Sequence, residues 1–325
     1  MSARTPEEAL VVVTIGDPCG VGPEVIVKAL ADASAPGRVL LVGCADAVRQ
    51  AVSCTGSALR VRPLQAAGEA RFERGCLDVL DAGDLAAADY RLGEPSAAVG
   101  RAVVRWWEIA TGLAGAGQAD AVVKGPVSKE VIRLGLGEVP AEPETFLLLV
   151  TGTPLRVAHL SDHVPLSQAL ARVTATNVLA LIRLVHRSLR SWGIASPRIG
   201  VAGLNPHAQG REEDEEIGPA VQQARSEGIA VQGPVSPDTI FRQGTDGEYD
   251  CIVAHYHDQG HIAVKTWKFD GNCALNLGSP FLRLSVPHGP AFDIAGRGVA
   301  DSRSMLEALR TAAALGAGCG FPAAN

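Results

Sequence analysis

The chain is expected to fold as an α/β protein of two domains built on largely parallel sheets, and three observations lead there. Short β-branched apolar runs recur at 10–15, 39–42, 121–123, 156–158, 199–202 and 251–254. Ala- and Leu-rich stretches with helical character separate them, as at 24–31, 97–114, 177–192 and 217–227. Continuous apolar runs of this length suit strands buried on both faces, and their alternation with helices suits a parallel sheet with crossover connections. The third observation is length, since 325 residues with 47% hydrophobic content suffice for two cores. Pro-containing segments near Gly125-Pro126 and at 140–143 are the candidate crossings between domains. The expected division is 1–135 with 275–325 as one domain and 136–274 as the other.

Composition narrows the function. A net charge of -6 and no clustered Lys and Arg argue against nucleic-acid binding, which needs a basic surface to neutralise phosphates. The first apolar run is too short to span a bilayer and lacks the flanks of a signal peptide, so no membrane association and a cytoplasmic location are expected. The seven cysteines are scattered without a C-x-x-C pair and read as buried thiols.

Two glycine-rich loops stand out. The segment from Gly16 to Glu24 follows the first strand and precedes a helix, as a phosphate-binding turn would, but it matches neither G-x-G-x-x-G nor a Walker loop. It reads equally as a tight turn that needs glycine for positive φ. Near the C-terminus, 287–301 combines His288, Gly289, Asp293, Gly296 and Arg297, which offer a ring, backbone donors and charges to a nucleotide. This loop looks like the adenosine-binding loop of the isocitrate and isopropylmalate dehydrogenases.

Histidines carry the strongest chemical signal. His163, His207 and His257 each follow a short apolar run, so all three are expected at the strand ends of an open α/β sheet, where ligand sites lie. Three neutral imidazoles hold a divalent ion while leaving coordination positions open. Asp162 and Asp258 are placed to orient imidazoles, and His159, His255 and His261 are weaker ligand candidates. Lys265 is the expected proton donor or carboxylate-binding cation, with Arg283 as a bidentate partner for an anion. The acidic run 211–216 reads as a cap for the following helix.

These segments together resemble the 4-hydroxythreonine-4-phosphate dehydrogenase (PdxA) family. The resemblance rests on Gly16-Asp-Pro-x-Gly-Val-Gly-Pro-Glu24, Lys124-Gly-Pro-Val-Ser-Lys129, Gly203-Leu-Asn-Pro-His-Ala208, Gly233-Pro-Val-x-x-Asp-Thr239, Tyr256-His-Asp-Gln-Gly260 and His288 to Gly298, which span nearly the whole chain. It implies a two-domain isocitrate/isopropylmalate dehydrogenase-like fold with the site in an interdomain cleft, and a homodimer whose partner completes that site. It further implies a metal triad of His163, His207 and His257, with zinc favoured by the imidazoles and magnesium, manganese or cobalt as alternatives. Substrate contacts fall on Lys265, Arg283, Asp238 and Glu144, catalytic roles on Lys265 and Asp258, and the NAD or NADP site on the 288–297 loop. The implied reaction is oxidation of a secondary alcohol β to a carboxylate, with decarboxylation.

One segment departs from the family. Members acting on the phosphorylated substrate carry Gly-His-Thr-Glu where this chain has Glu142-Pro143-Glu144-Thr145, and Ala274 stands where they have a substrate-binding asparagine, with Asn276 two positions on. An acidic Glu144 beside a phosphate would be repulsive. The expected substrate is therefore a cis-dihydrodiol carboxylate, as in the terephthalate dihydrodiol dehydrogenase branch, rather than 4-phosphohydroxy-L-threonine. The first reading places the chain in aromatic catabolism and the second in pyridoxine biosynthesis. A metal-dependent hydrolase using the same histidines is the alternative from another class, which has no use for the nucleotide-like loop, and a silent binding protein that retains the fold is a third, which the three histidines and Lys265 disfavour.

Overall fold

A computed structural model describes residues 4–141 and 143–323. The chain forms two compact units, Met1–Pro143 with Pro280–Ala317, and Glu144–Ser279 with Gly318–Asn325.

The first unit is a six-stranded, wholly parallel sheet in the order β3-β4-β2-β1-β5-β12. Its strands are β1 (Val11–Thr14), β2 (Val39–Val42), β3 (Arg60–Leu64), β4 (Cys76–Leu80), β5 (Ala121–Lys124) and β12 (Arg283–Ser285). The helices are α1 (Gly22–Leu30), α2 (Ala45–Thr55), α3 (Ala97–Gly115), α4 (Lys129–Leu136) and α10 (Arg303–Gly316). Central β1 is Val-Val-Val-Thr and buried throughout, as a strand covered on both faces must be. Helices α3 and α4 touch backbone to backbone, because a Cβ on Gly100 would lie 2.1 Å from the Val131 carbonyl oxygen.

The second unit orders its strands β11-β6-β7-β10-β8-β9, from β6 (Phe146–Val150), β7 (Arg156–His159), β8 (Ile199–Ala202), β9 (Val231–Val235), β10 (Cys251–Ala254) and β11 (Cys273–Leu277). The run β7-β10-β8-β9 is parallel, whereas β6 pairs antiparallel with both β7 and β11. Its helices are α5 (Leu166–Ala171), α6 (Ala175–Ser191), α7 (Gly218–Ser226), α8 (Ile240–Thr245) and α9 (His257–Trp267). Helix α6 buries Val178, Leu181, Ile182, Val185 and Leu189, a stripe at three- and four-residue spacing, and Thr174 caps its start by accepting from the Asn177 N–H.

The unit boundaries differ from those expected at 135/136 and 274/275. The contacts of α4 with α3 keep its whole length in the first unit. Strand β11 joins the second because it pairs with β6 along all five residues. The C-terminal tail also returns there, with the Phe321 ring edge-on to Trp192 and the Arg156 guanidinium stacked 4.1 Å over it. The cysteines differ too: Cys19, Cys44, Cys251 and Cys273 are buried, Cys54 and Cys76 are half-buried and Cys319 is exposed. No described helix is long and apolar enough to cross a membrane.

A candidate metal centre at strand ends of the second unit

Parallel pairing brings the C-terminal ends of β7, β10 and β8 side by side, and each end leads into one of the expected histidine segments. Strand β7 runs into His159-Leu-Ser-Asp-His163, β10 into His255-Tyr-His257, and β8 into Gly203-Leu-Asn-Pro-His207. Between β10 and β8 the chain order reverses, since β8 leads outward to β9 while β10 leads back through α9 to β11. Such a reversal leaves a crevice at the strand ends.

Asp162, His163 and His257 converge there, with ligand atoms all within 4.8 Å of one another. The His163 and His257 rings are 5.3 Å apart centre to centre. Each has its Nδ1 beside its own sequence neighbour, His163 at 2.7 Å from an Asp162 oxygen and His257 donating to Asp258 at 2.6 Å. A carboxylate at Nδ1 fixes the tautomer and leaves Nε2 as the free ligand atom, which is the arrangement metal-binding histidines use. The second Asp162 oxygen is buried without a hydrogen-bond partner. The donor set therefore fits a divalent ion of borderline softness. A cleft of 320 Å³ opens onto these residues, walled on one side by Val164, Pro165 and Leu166. The larger 510 Å³ cavity, lined by first-unit residues such as Gln65, Asp81 and Arg105, contains none of the expected site residues.

Among the described residues His207 does not stand with that group. It leaves the same sheet edge but from β8, on an exposed loop where His207 and Ala208 both adopt positive φ, 57° and 53°. Side chains rarely hold that conformation without support. The support is Glu213, which accepts from the backbone N–H of Leu204 and Asn205 and from the Asn205 amide at 2.6, 2.8 and 2.7 Å. Burial raises the Glu213 carboxyl, but these donors outweigh it and hold the group below its usual range. The acidic run is thus more than a helix cap. It opens a π-helical turn (Glu213–Ile217) ahead of α7, Glu216 accepts from the Ala175 N–H at the start of α6, and Glu213 organises the His207 loop. The sequence cue was Asn205 and Gly210 flanking the histidine near an acid, a pattern that looks the same when the acids are solvated.

Behind His257, His261 and His159 form a buried column. His261 stacks on His257 at 3.7 Å, 12° from parallel, and His159 tilts against His261 at 4.7 Å. Burial lowers His159 to about 3 and His261 to about 4, so both are neutral at pH 7. His255 is fully buried and its Nε2 donates to the Ala202 carbonyl at 2.7 Å. Lys265 is exposed and lies two turns beyond His257 on the face of α9 that carries His261. Asp238 is exposed, accepts from the Ser236 and Thr239 hydroxyls, and lies close enough to His207 for the two to interact electrostatically.

Glu144 does not behave as a pocket residue. Its side chain is 81% exposed and reaches toward Arg172 at 3.8 Å, so its charge is directed to solvent and a cation. Ala274 is buried in the core with Leu149 and Ile252, and the Asn276 amide donates to Thr145 Oγ1 at 2.9 Å. Glu142 lies outside the described residues.

In the first unit, Gly16–Glu24 is a packed turn. Gly16 has φ 74° and a Cβ there would meet the Pro126 oxygen at 2.7 Å. Its backbone donors are satisfied internally, Asp17 N–H by Pro126, Gly20 N–H by Asp17 and Val21 N–H by Pro290. Of the two readings, the tight turn holds. The Pro290 contact, with Lys28 donating to Gly298 and Ala300, pins the C-terminal loop and leaves His288, Gly289, Asp293 and Arg297 exposed, with Gly296 at φ 73°.

Known proteins place this architecture. Residues 36–312 match the profile of the family described as pyridoxal phosphate biosynthetic protein PdxA. A Novosphingobium aromaticivorans protein, provisionally named 4-hydroxythreonine-4-phosphate dehydrogenase, is 45% identical over 94% of both chains. The D-threonate 4-phosphate dehydrogenase of Cupriavidus necator is 41% identical over 93% of this chain and 96% of its own. Among solved structures, a 4-hydroxythreonine-4-phosphate dehydrogenase from Burkholderia phymatum matches with a TM-score of 0.84 and 37% identity, over 94% of this chain and 98% of its own. A terephthalate 1,2-cis-dihydrodiol dehydrogenase from Burkholderia xenovorans matches with 0.67 and 33%, over the same shares. With a profile match over most of its length and relatives this similar end to end, the chain is a dehydrogenase and belongs to the PdxA family.

Proposed function

We propose that the protein is a divalent-metal- and NAD(P)-dependent dehydrogenase that oxidises a secondary alcohol β to a carboxylate, with loss of CO2, on a phosphorylated hydroxy acid of the threonine or threonate 4-phosphate class. The observation that carries this is the His163–His257 pair, each ring oriented by a carboxylate at Nδ1, within a full-length member of a dehydrogenase family. When bound, the ion supplies Lewis acidity at the alcohol oxygen and the nicotinamide a hydride acceptor. His163 and His257 would hold the ion, with His207, carried on the loop that Glu213 fixes, as the third ligand. Lys265 protonates the carbon left after CO2 departs. Arg283 binds an anionic group of the substrate, with Asp238 as a further contact. The exposed His288, Gly289, Asp293 and Arg297, with half-buried Gly296, bind the dinucleotide. The active form is a homodimer, so light scattering should give twice the 33.7 kDa chain mass.

Two observations favour the phosphorylated substrate over the dihydrodiol expected from the sequence. The relatives at 45% and 41% identity carry phosphate-substrate names. The repulsion argument also loses its basis, because Glu144 is solvated and faces Arg172. The dihydrodiol carboxylate stays as the second reading on the likeness to the terephthalate enzyme. The test is NADH formation by the zinc-reconstituted protein with D-threonate 4-phosphate, 4-phosphohydroxy-L-threonine and terephthalate cis-dihydrodiol in parallel. Turnover of either phosphate supports the first reading and turnover of the dihydrodiol alone the second. Metal-dependent hydrolysis without NADH formation would refute both.

A further inference from the structure

Helix α9 opens on His257 and carries a second imidazole, His261, one turn further on. Residues four apart leave the same helix face as neighbours, with Cβ atoms about 5–6 Å apart. The two rings close that gap to 3.7 Å between centres and lie 12° from parallel, so they are stacked. His261 is itself held. Its Nδ1 donates to the His257 carbonyl at 3.1 Å, which fixes the plane of its ring. From the other side the His159 ring, 1% exposed at the end of β7, tilts against it at 4.7 Å. His159 is wedged in turn, since a Cβ on Gly260 would lie 2.1 Å from its Nε2, an approach that glycine alone permits.

Packing alone does not account for this column. Apolar side chains would fill the contact between β7 and α9 without leaving the His159 Nε2 buried and unmatched. What the column does reach is His257. Torsion about the bond to an imidazole is soft, so a ring stays in one orientation only where contacts hold it. Asp258 accepts from the His257 Nδ1 at 2.6 Å and sets the tautomer, while His261 covers one face and opposes rotation. The His257 side chain is 33% exposed against 78% for His163, so the two rings are unequally held.

We infer that His261 is a positioning residue for the metal centre, holding the His257 ring by its face while His159 and Gly260 brace it from behind. His261 thus acts through His257 and is not itself a ligand. A ring fixed before the ion arrives gives up less freedom on coordination, which is how the stack raises affinity. That the oriented ring serves a metal rests on the dehydrogenase reading; the stack that orients it does not.

Two measurements on the full-length protein test this without turnover. In the metal-free protein with isotope-labelled histidine, the ring current of His261 should shift the His257 ring protons upfield. His261→Leu should abolish that shift and His261→Phe should keep it. Calorimetric titration with zinc should then give His261→Leu about fivefold weaker binding, the worth of one aromatic pair. His261→Phe, which restores a flat face, should bind within about twofold of wild type. Leucine and phenylalanine both fill the site with apolar volume, so the metal-free melting temperatures of the two variants should be close. A merely structural His261 would instead weaken zinc binding in both variants alike, in step with melting temperature. Zinc affinities of the two variants within about twofold of each other, or an unshifted His257 ring in the wild type, would overturn the assignment. A wild type that binds no zinc would overturn the metal reading and this role with it, whereas zinc binding that ignores these substitutions would overturn this role alone.

Discussion

In the first unit the order of the sheet reverses between β1 and β5, and the crevice there is closed by backbone. A Cβ on Gly125 would stand 2.5 Å from the Thr14 oxygen, and one on Gly16 would stand 2.7 Å from that of Pro126. In the second unit the reversal between β10 and β8 is flanked by His257 and the His207 loop, and the nearby edge buries a His159 nitrogen, the Ser161 hydroxyl and an Asp162 oxygen without partners. The same topological device thus serves two ends. The first unit's turn also buries an Asp17 and a Glu24 oxygen without partners, so what sets the second crevice apart is that its unmatched Asp162 oxygen stands beside two imidazoles.

Removing a ligand ring should separate the two crevices most clearly. His257→Ala should weaken zinc binding by more than about a hundredfold, beyond the loss typical for an outer-sphere partner, with the urea midpoint of the metal-free protein changed little. Filling the backbone-closed crevice does the opposite. Gly125→Ala should lower unfolding free energy by about 3 kcal/mol in urea, since backbone on both sides must move, and should leave zinc affinity unchanged.

Asp17 sharpens the contrast through pH. Burial raises its carboxyl to about 6, opposed by the Cys19 N–H. A folded pKa above the unfolded one means the protonated form is favoured by folding, so this contribution is present below about pH 4 and lost as pH rises through about 6. Relative to Asp17→Asn, the wild type should lose about 2 kcal/mol of stability from pH 4 to pH 7, read from parallel denaturation series. A flat difference would mean that Asp17 is solvated. Asp258→Asn should cost about tenfold in zinc affinity by releasing the His257 tautomer. Smallest, Glu144→Gln should change stability by less than about 0.5 kcal/mol and leave KM for the phosphorylated substrate unchanged. A clear fall in KM would restore the repulsion argument.

The strands that position the site were legible because they are short, β-branched and buried on both faces, as in Cys251-Ile-Val-Ala254. Strand β3 was not, since Arg60, Arg62 and Pro63 break the apolar pattern that a covered strand would show. The start of α9 was hidden because His257-Asp-Gln-Gly reads as loop until packing against β7 and β10 makes it a helix. Residue type and position beyond an apolar run sufficed to find His163 and His257 with their orienting carboxylates. His207 was found as a loop residue, but the buried acid supporting it resembled a solvated run. Arg283 was found by residue type, but its place over the Trp107 ring, 4.8 Å from the centre, comes from strand register and helix packing, which no local pattern encodes.

The most direct test is anomalous diffraction from crystals soaked in zinc. The account predicts one peak per chain, about 2.0–2.1 Å from Nε2 of both His163 and His257, with Asp258 still at the His257 Nδ1. A peak bound through Nδ1, or one that leaves either ring uncoordinated, would contradict it.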